Sequence, residues 1–183
     1  MLSQFTREHG HKALGDLFNF PKDVYPVGRL DSDSEGLLLI TNDKKINHLL
    51  LDPAHRHRRT YLAQLEGTLT EEAILKLKEG VTIRVNNKDH FTLPAKVEKK
   101  DKVNISERVP PVRFRKNVPT SWISLTLTEG KNRQVRKMTA AVGFPTLRLV
   151  RIAIEDILLE EMKTGEVREL KREAVYKKLK LNK

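Results

Sequence analysis

A mixed α+β fold is the class this sequence predicts, and three observations carry that expectation. Residues 60–66, 122–127 and 146–154 alternate apolar and polar side chains at the two-residue period of a strand. Residues 44–51, 71–79 and 131–142 instead place apolar side chains at helical spacing, with recognisable start and stop signals. These two kinds of segment interleave along the chain and are joined by turn-forming residues.

Composition sets the first bounds. The 183 residues suffice for one substantial core or two small subdomains, and 38% hydrophobic with 5% aromatic residues suits a soluble globular protein. No run approaches the length of a membrane span and the N-terminus lacks a signal-peptide pattern, so the expected location is the cytoplasm. Zero cysteines exclude disulfides, thiolate nucleophiles and cysteine-ligated zinc, which leaves covalent chemistry to carboxylate, hydroxyl, lysine or histidine. With 35 Lys plus Arg against 24 Asp plus Glu, a formal charge of +11 points to a polyanionic partner, most commonly nucleic acid. The same balance also fits plain solubility, so charge alone does not choose a function.

Taken in order, Leu14, Leu17 and Phe18 have the spacing of a short helix face, and Pro21 and Pro26 mark an extended approach to Gly28. Residues 37–40 read as a buried strand closed by Thr-Asn-Asp. A helix over 44–51 puts Ile46, Leu49 and Leu50 on one side and stops at Pro53. After the strand at 60–66, Thr70 is a good N-cap for a helix over 71–79, with acids in its first turn and Gly80 past its end. Strands over 81–85 and 91–98 flank the turn signal Asn86-Asn87-Lys88-Asp89. Residues 99–120 show no period and contain Pro110-Pro111 followed by R-F-R-K, which reads as a long exposed loop or hairpin insertion. The strand at 122–127 delivers E-G-K-N-R-Q-V-R-K-M, which opens a helix over 131–142 stopped by Gly143. A strand at 146–154 and a basic C-terminal helix follow.

Residues 27–43, V-G-R-L-D-S-D-S-E-G-L-L-L-I-T-N-D, concentrate the chemistry. Asp31, Asp33 and Glu35 stand at the mouth of an apolar segment, bracketed by Gly28 and Gly36, as a loop would present a carboxylate to a large substrate. A surface turn beside a core strand has the same pattern. An EF-hand reading fails because Glu35 occupies the fifth place, Asn42 stands where the bidentate Glu belongs, and a strand-like segment follows. His55 and His57 lie in the basic run H-R-H-R-R without further ligands at metal spacing, so phosphate contact is favoured over metal. Arg113, Arg115 and Lys116 beside Phe114 suit RNA backbone and base stacking, or a solvated loop. Arg133, Arg136 and Lys137 lie on the first turns of a helix, where an arginine can reach across a cleft to a carboxylate or bind phosphate non-specifically.

Together, residues 28–43, the stretch T-Y-L-A-Q-L-E-G at 60–67 and residues 129–151 resemble the three motifs of the bacterial rRNA pseudouridine synthases of the small-subunit synthase A branch, and the likeness extends over essentially the entire chain. The resemblance implies Asp31 as the nucleophile, Tyr61 as the ring that stacks on the target base, and Arg136 as the partner of Asp31. It implies two subdomains, residues 1–58 and 59–183, sharing a continuous, largely antiparallel sheet with the RNA-binding cleft between them. A specific uridine of large-subunit rRNA, free or in an assembling particle, is the implied substrate; no cofactor, metal or membrane is implied, and a monomer is expected. Arg29, Arg56, Arg58, Arg59, Arg113, Arg115, Lys116, Lys131, Arg133 and Lys137 are the candidate RNA contacts on one basic rim. The small N-terminal S4 domain of several relatives is absent from the sequence, which starts inside the family's first strand; a shortened chain is expected. Two rival readings are a non-catalytic RNA-binding or assembly factor on the same fold and a carboxylate hydrolase acting on nucleosides, which would need a second acid such as Asp33 or Glu35.

Overall fold

The computed structural model describes residues 2–112, 115 and 117–181. A short 3₁₀ turn at Leu14–Asp16 precedes β1 (Tyr25–Pro26), β2 (Glu35–Gly36), β3 (Ile40–Thr41) and α1 (Lys44–Leu51). There follow β4 (Arg59–Glu66), α2 (Glu71–Glu79), β5 (Thr82–Val85), β6 (Lys88–Phe91), β7 (Lys96–Lys100) and β8 (Thr120–Leu127). The chain closes with α3 (Gln134–Ala141), β9 (Thr146–Ile154), β10 (Ile157–Leu158) and α4 (Arg172–Lys178). This is the expected mixed α+β class.

The main sheet has six strands in the order β10-β9-β4-β8-β7, with β2 added in parallel to β9. All its other pairings are antiparallel, and β4 lies at the centre, where Tyr61 faces Leu125 of β8 and Arg151 of β9. The strict alternation of β8 explains its place: Ser121, Ile123, Leu125 and Leu127 are buried while their neighbours are half-exposed. Ile123, Leu125 and Leu127 meet Ile74 and Leu77 of α2 and Val135 and Met138 of α3 in one apolar cluster. A second cluster joins Val27, Leu37, Ile46 and Leu50 to Ile154, Ile157, Leu179 and Leu181, so the end of the chain packs on its beginning. Tyr176 of α4 secures that junction by donating its hydroxyl to Asp43, the N-cap of α1.

Three expected elements differ in detail. Residues 37–40 do not form one strand, because their backbone changes partner midway: Leu37 N–H bonds to Arg151 and the Leu39 carbonyl accepts from Val27. The first half thereby belongs to the main sheet and the second to the small β1-β3 ladder. Gly36 makes that close approach possible, since its φ is +102° and a Cβ there would collide with the Arg151 carbonyl. The expected strand at 91–98 is split into β6 and β7, because the Leu93 N–H is taken by the Glu129 carboxylate and Pro94 has no N–H to give. Helix α3 begins at Gln134 rather than 131, because Arg133 adopts the left-handed conformation at φ 52°.

Candidate active site

The Asp31 loop is a tight turn. Ser34 N–H bonds to the Asp31 carbonyl at 2.9 Å, and Ser3 Oγ both donates to the Leu30 carbonyl and accepts from Leu30 N–H. Against this loop stands the start of α3. Its position follows from Glu129, a buried carboxylate on the β8–α3 turn that accepts from Gln134 Nε2 at 2.6 Å and Leu93 N–H at 2.8 Å and lies 3.0 Å from His90 Nε2. Gln134 in turn accepts from Lys131 N–H at 2.9 Å. Burial pushes the Glu129 carboxyl up, but the Leu93 N–H, His90 and Gln134 together outweigh it and hold the group below its ordinary range.

The turn so fixed aims two arginines at the loop. Arg133 grips Asp33 with both terminal nitrogens at 2.9 and 2.8 Å, and its Nη1 lies 3.8 Å from Asp31 Oδ2. Arg136 donates to the backbone carbonyls of Asp33 at 2.9 Å and Thr146 at 3.0 Å, with its Nε 3.4 Å from Asp33 Oδ2. The expected direct pair between Arg136 and Asp31 is therefore not what the structure contains. Two backbone carbonyls clamp the Arg136 guanidinium beside Asp33, and among the described residues the cation within 4 Å of Asp31 is Arg133. Hydrogen bonding to Arg133 holds the Asp33 carboxyl below its ordinary value, and the same bond raises Arg133. Burial lowers Arg136, with Asp33 opposing.

Glu35 is held on the other side of the loop. Arg148 of β9, a buried residue, donates to both its oxygens at 3.0 and 2.8 Å, and Arg108 approaches at 3.5 Å from the long segment after β7. Tyr61 lies half-buried on β4 beside Arg151, whose Nε donates to the Leu37 carbonyl at 2.7 Å. Burial lowers Arg151, and the neighbouring Tyr61 favours its charged form.

The basic residues divide in two. Arg29, Arg56 and Lys131 are exposed and Lys137 is half-exposed. Arg58 is engaged within the fold, donating to Glu155 and Asp156, and Arg59 donates to the carbonyls of Leu50 and His57. Arg115 is exposed and 3.4 Å from Glu66. Arg113 and Lys116 lie outside the described residues. Sequence reasoning missed the Arg148–Glu35 bridge, the Glu129 hub and the grip of Arg133 on Asp33. The two ion pairs link residues 100 and 113 apart and have no local signal, whereas an acid just before a Gly-Lys-Asn turn and a glutamine five residues later hints at a capping interaction. No group of three or more His, Asp or Glu among the described residues is placed to hold a metal.

Comparison with known proteins fits this geometry. Residues 2–141 match the family model described as RNA pseudouridylate synthase. The chain is 50% identical over 169 residues to the ribosomal large subunit pseudouridine synthase E of Vibrio parahaemolyticus, covering 92% of this chain and 69% of that protein. It is 48% identical to the protein of the same name from Xanthomonas axonopodis pv. citri, covering 88% and 84%. A solved structure described as a pseudouridylate synthase superposes with a TM-score of 0.76 at 27% identity, covering 97% of this chain and 68% of that one. The chain belongs to the RNA pseudouridylate synthase family and is an isomerase acting on RNA.

Proposed function

We propose that this chain converts one uridine of large-subunit rRNA to pseudouridine, with Asp31 as the group that attacks, Tyr61 as the platform for the displaced base, and Arg133 and Arg136 supplying positive charge beside the loop. The relatives that support the substrate are themselves named for the large ribosomal subunit. One observation carries the role of Asp31. Asp33 and Glu35 are each gripped through both oxygens by an arginine, whereas among the described residues the nearest guanidinium nitrogen to Asp31 is 3.8 Å away, beyond hydrogen-bond reach. Asp31 thus keeps its lone pairs for a substrate.

The reaction suits a lone carboxylate. The bond from ribose C1′ to uracil N1 breaks, the ring turns, C1′ bonds to C5, and the proton from C5 is exchanged for one at N1, so no electrons are gained or lost. A positioned, ionised carboxylate is the nucleophile or base such a path needs. The uridine must leave its stack to reach the site, and an aromatic ring on a rigid central strand is suited to receive it. A hydrolase would need a second free acid, and the arginine-bound state of Asp33 and Glu35 speaks against one. Exposed Arg29, Arg56, Arg115 and Lys131 and half-exposed Lys137 suit phosphate contacts on the rim. The reading includes a cytoplasmic monomer without cofactor, with subdomains meeting near residue 58. Single-turnover assay of Asp31→Asn on an rRNA fragment tests it: RNA affinity and fold are retained and product is absent, while substantial residual turnover refutes the role of Asp31.

A further inference from the structure

Arg151 of β9 joins the two sides of the site. Its Nε donates to the Leu37 carbonyl at 2.7 Å, just beyond the Asp31 loop, and it is the cross-strand partner of Tyr61 on β4, so the two side chains stand on one face of the sheet. The residue is 4% exposed, and its Nη2 is buried with no hydrogen-bond partner among the described residues. Three residues earlier on the same strand, Arg148 is nearly as buried but is paired with both oxygens of Glu35. Arg151 has no such acid. Among the described residues the ionisable side chains that act on it are Tyr61 and Arg59, and Arg59, a second cation, is itself spent on the carbonyls of Leu50 and His57. A buried guanidinium without an anion weakens the empty protein and favours any negative charge that reaches it.

On the reading of Asp31 as the attacking group and Tyr61 as the platform for the base, we infer that Arg151 is a further catalytic residue: its unpartnered Nη2 donates to a carbonyl oxygen of the uracil and stabilises the negative charge the ring carries while it is detached from the ribose. The C1′–N1 bond breaks with its electron pair kept by the ring, which spreads the charge over N1, O2 and O4, while C1′ takes a pair from the Asp31 carboxylate. After the ring turns, C5 returns a pair to C1′ as the Asp31 oxygen departs, the proton on C5 is lost, and N1 gains one. Uracil is neutral in the bound RNA and anionic only between the two bonds. The hydrogen bond from Arg151 is therefore strongest where the barrier lies, and it adds little to the binding of unreacted RNA. Phosphates have their own partners in the exposed cations of the rim, whereas Arg151 shares its face with the ring that receives the base.

The test is Arg151→Met, read by thermal unfolding and by single-turnover kinetics at saturating RNA on two substrates. Met fills the space without the charge, and the melting temperature does not fall, because relief of the unpaired cation offsets the lost bond to Leu37. The rate on uridine drops about a hundredfold or more, the size expected for one lost donor to a developing anion, while RNA affinity stays within about twofold. The second substrate carries 5-fluorouridine at the target position, and its reaction is followed as loss of that nucleoside, since its C5 bears fluorine in place of the proton. Fluorine stabilises the uracil anion by itself, so the rate deficit of the variant shrinks by about tenfold or more on this RNA, a change that misplacement of Tyr61 or of the loop would not give. Arg151→Lys keeps the charge, shows the same substrate dependence with a smaller deficit, and carries the comparison should Arg151→Met fail to fold. A parental rate in the variants, an equal deficit on both substrates, or a fall in melting temperature with the rate of the folded protein unchanged overturns the role of Arg151 even with Asp31→Asn inactive. Activity in Asp31→Asn overturns instead the reading on which it rests.

Discussion

The two walls of the site are held by different physics. On one wall, α3 presents Arg133 and Arg136 from a helix whose inner face, Val135 and Met138, lies in the same apolar cluster as Ile123 and Leu125 of β8. On the other, Asp31 stands in a loop whose flanking strands, β1 to β3, are two residues each and whose other acids, Asp33 and Glu35, are fastened by arginines. Packing therefore places the cations, and charge places the carboxylates. The difference teaches where each kind of damage should register: in stability on the helix wall, in rate on the loop wall.

The sharpest way to break that comparison is at the core beneath the helix. Leu125→Ala removes a fully buried side chain and should cost about 2–5 kcal/mol of stability, measured by denaturant unfolding. The rate of the folded fraction should change little; a large rate loss without a stability loss would reverse the assignment. Arg148→Met is the complementary test, since it strips both hydrogen bonds from Glu35 at the loop. Loss of charge-assisted bonds of this kind costs about 1.5–3 kcal/mol, and here the single-turnover rate should fall more than tenfold in a protein that still folds cooperatively.

Glu129 sits where the walls meet and has a pH signature. Its folded-state carboxyl is held below the ordinary range, so its contribution to stability is present at neutral pH and is lost as pH falls through the depressed value. Glu129→Gln should therefore cost about 1–3 kcal/mol at pH 7, and the gap from the parent should narrow as pH falls through and below the ordinary carboxylate range. A gap constant with pH would show that the charge of Glu129 is immaterial. The smallest effect concerns the rim. Arg56→Gln should reduce the slope of log affinity against log salt by about one, whereas Arg58→Gln, whose guanidinium is spent on Glu155, should leave it unchanged. Equal slopes for the two variants would mean that the internal pairing of Arg58 does not withhold it from RNA.

Legibility in the sequence followed the range of the interaction. Helices α1 and α2 and strand β9 lie at the expected residues because their signals are local: Asp43 and Thr70 accept the first N–H groups of their helices, and β9 shows the alternation of a strand. The Asp31 loop, Tyr61 and α3 were likewise marked by motif. The partnership of Arg136 was not, since an ion pair linking residues about a hundred apart depends on side-chain reach rather than on order along the chain. Arg133, a candidate RNA contact that is also one of the helix residues placed to reach a carboxylate, lies within 4 Å of both aspartates. The split of the expected strand at 91–98 had one readable cause, Pro94, and one hidden cause, the claim of Glu129 on Leu93.

The central claim, that Asp31 makes this chain a uridine isomerase of large-subunit rRNA, is tested most directly by mapping pseudouridine in rRNA from cells that lack the protein and carry either the parent gene or its Asp31→Asn form. One large-subunit position should lose its pseudouridine in the deletion, regain it with the parent and stay unmodified with Asp31→Asn. Modification restored by Asp31→Asn, or an rRNA map unchanged by the deletion, would contradict the account.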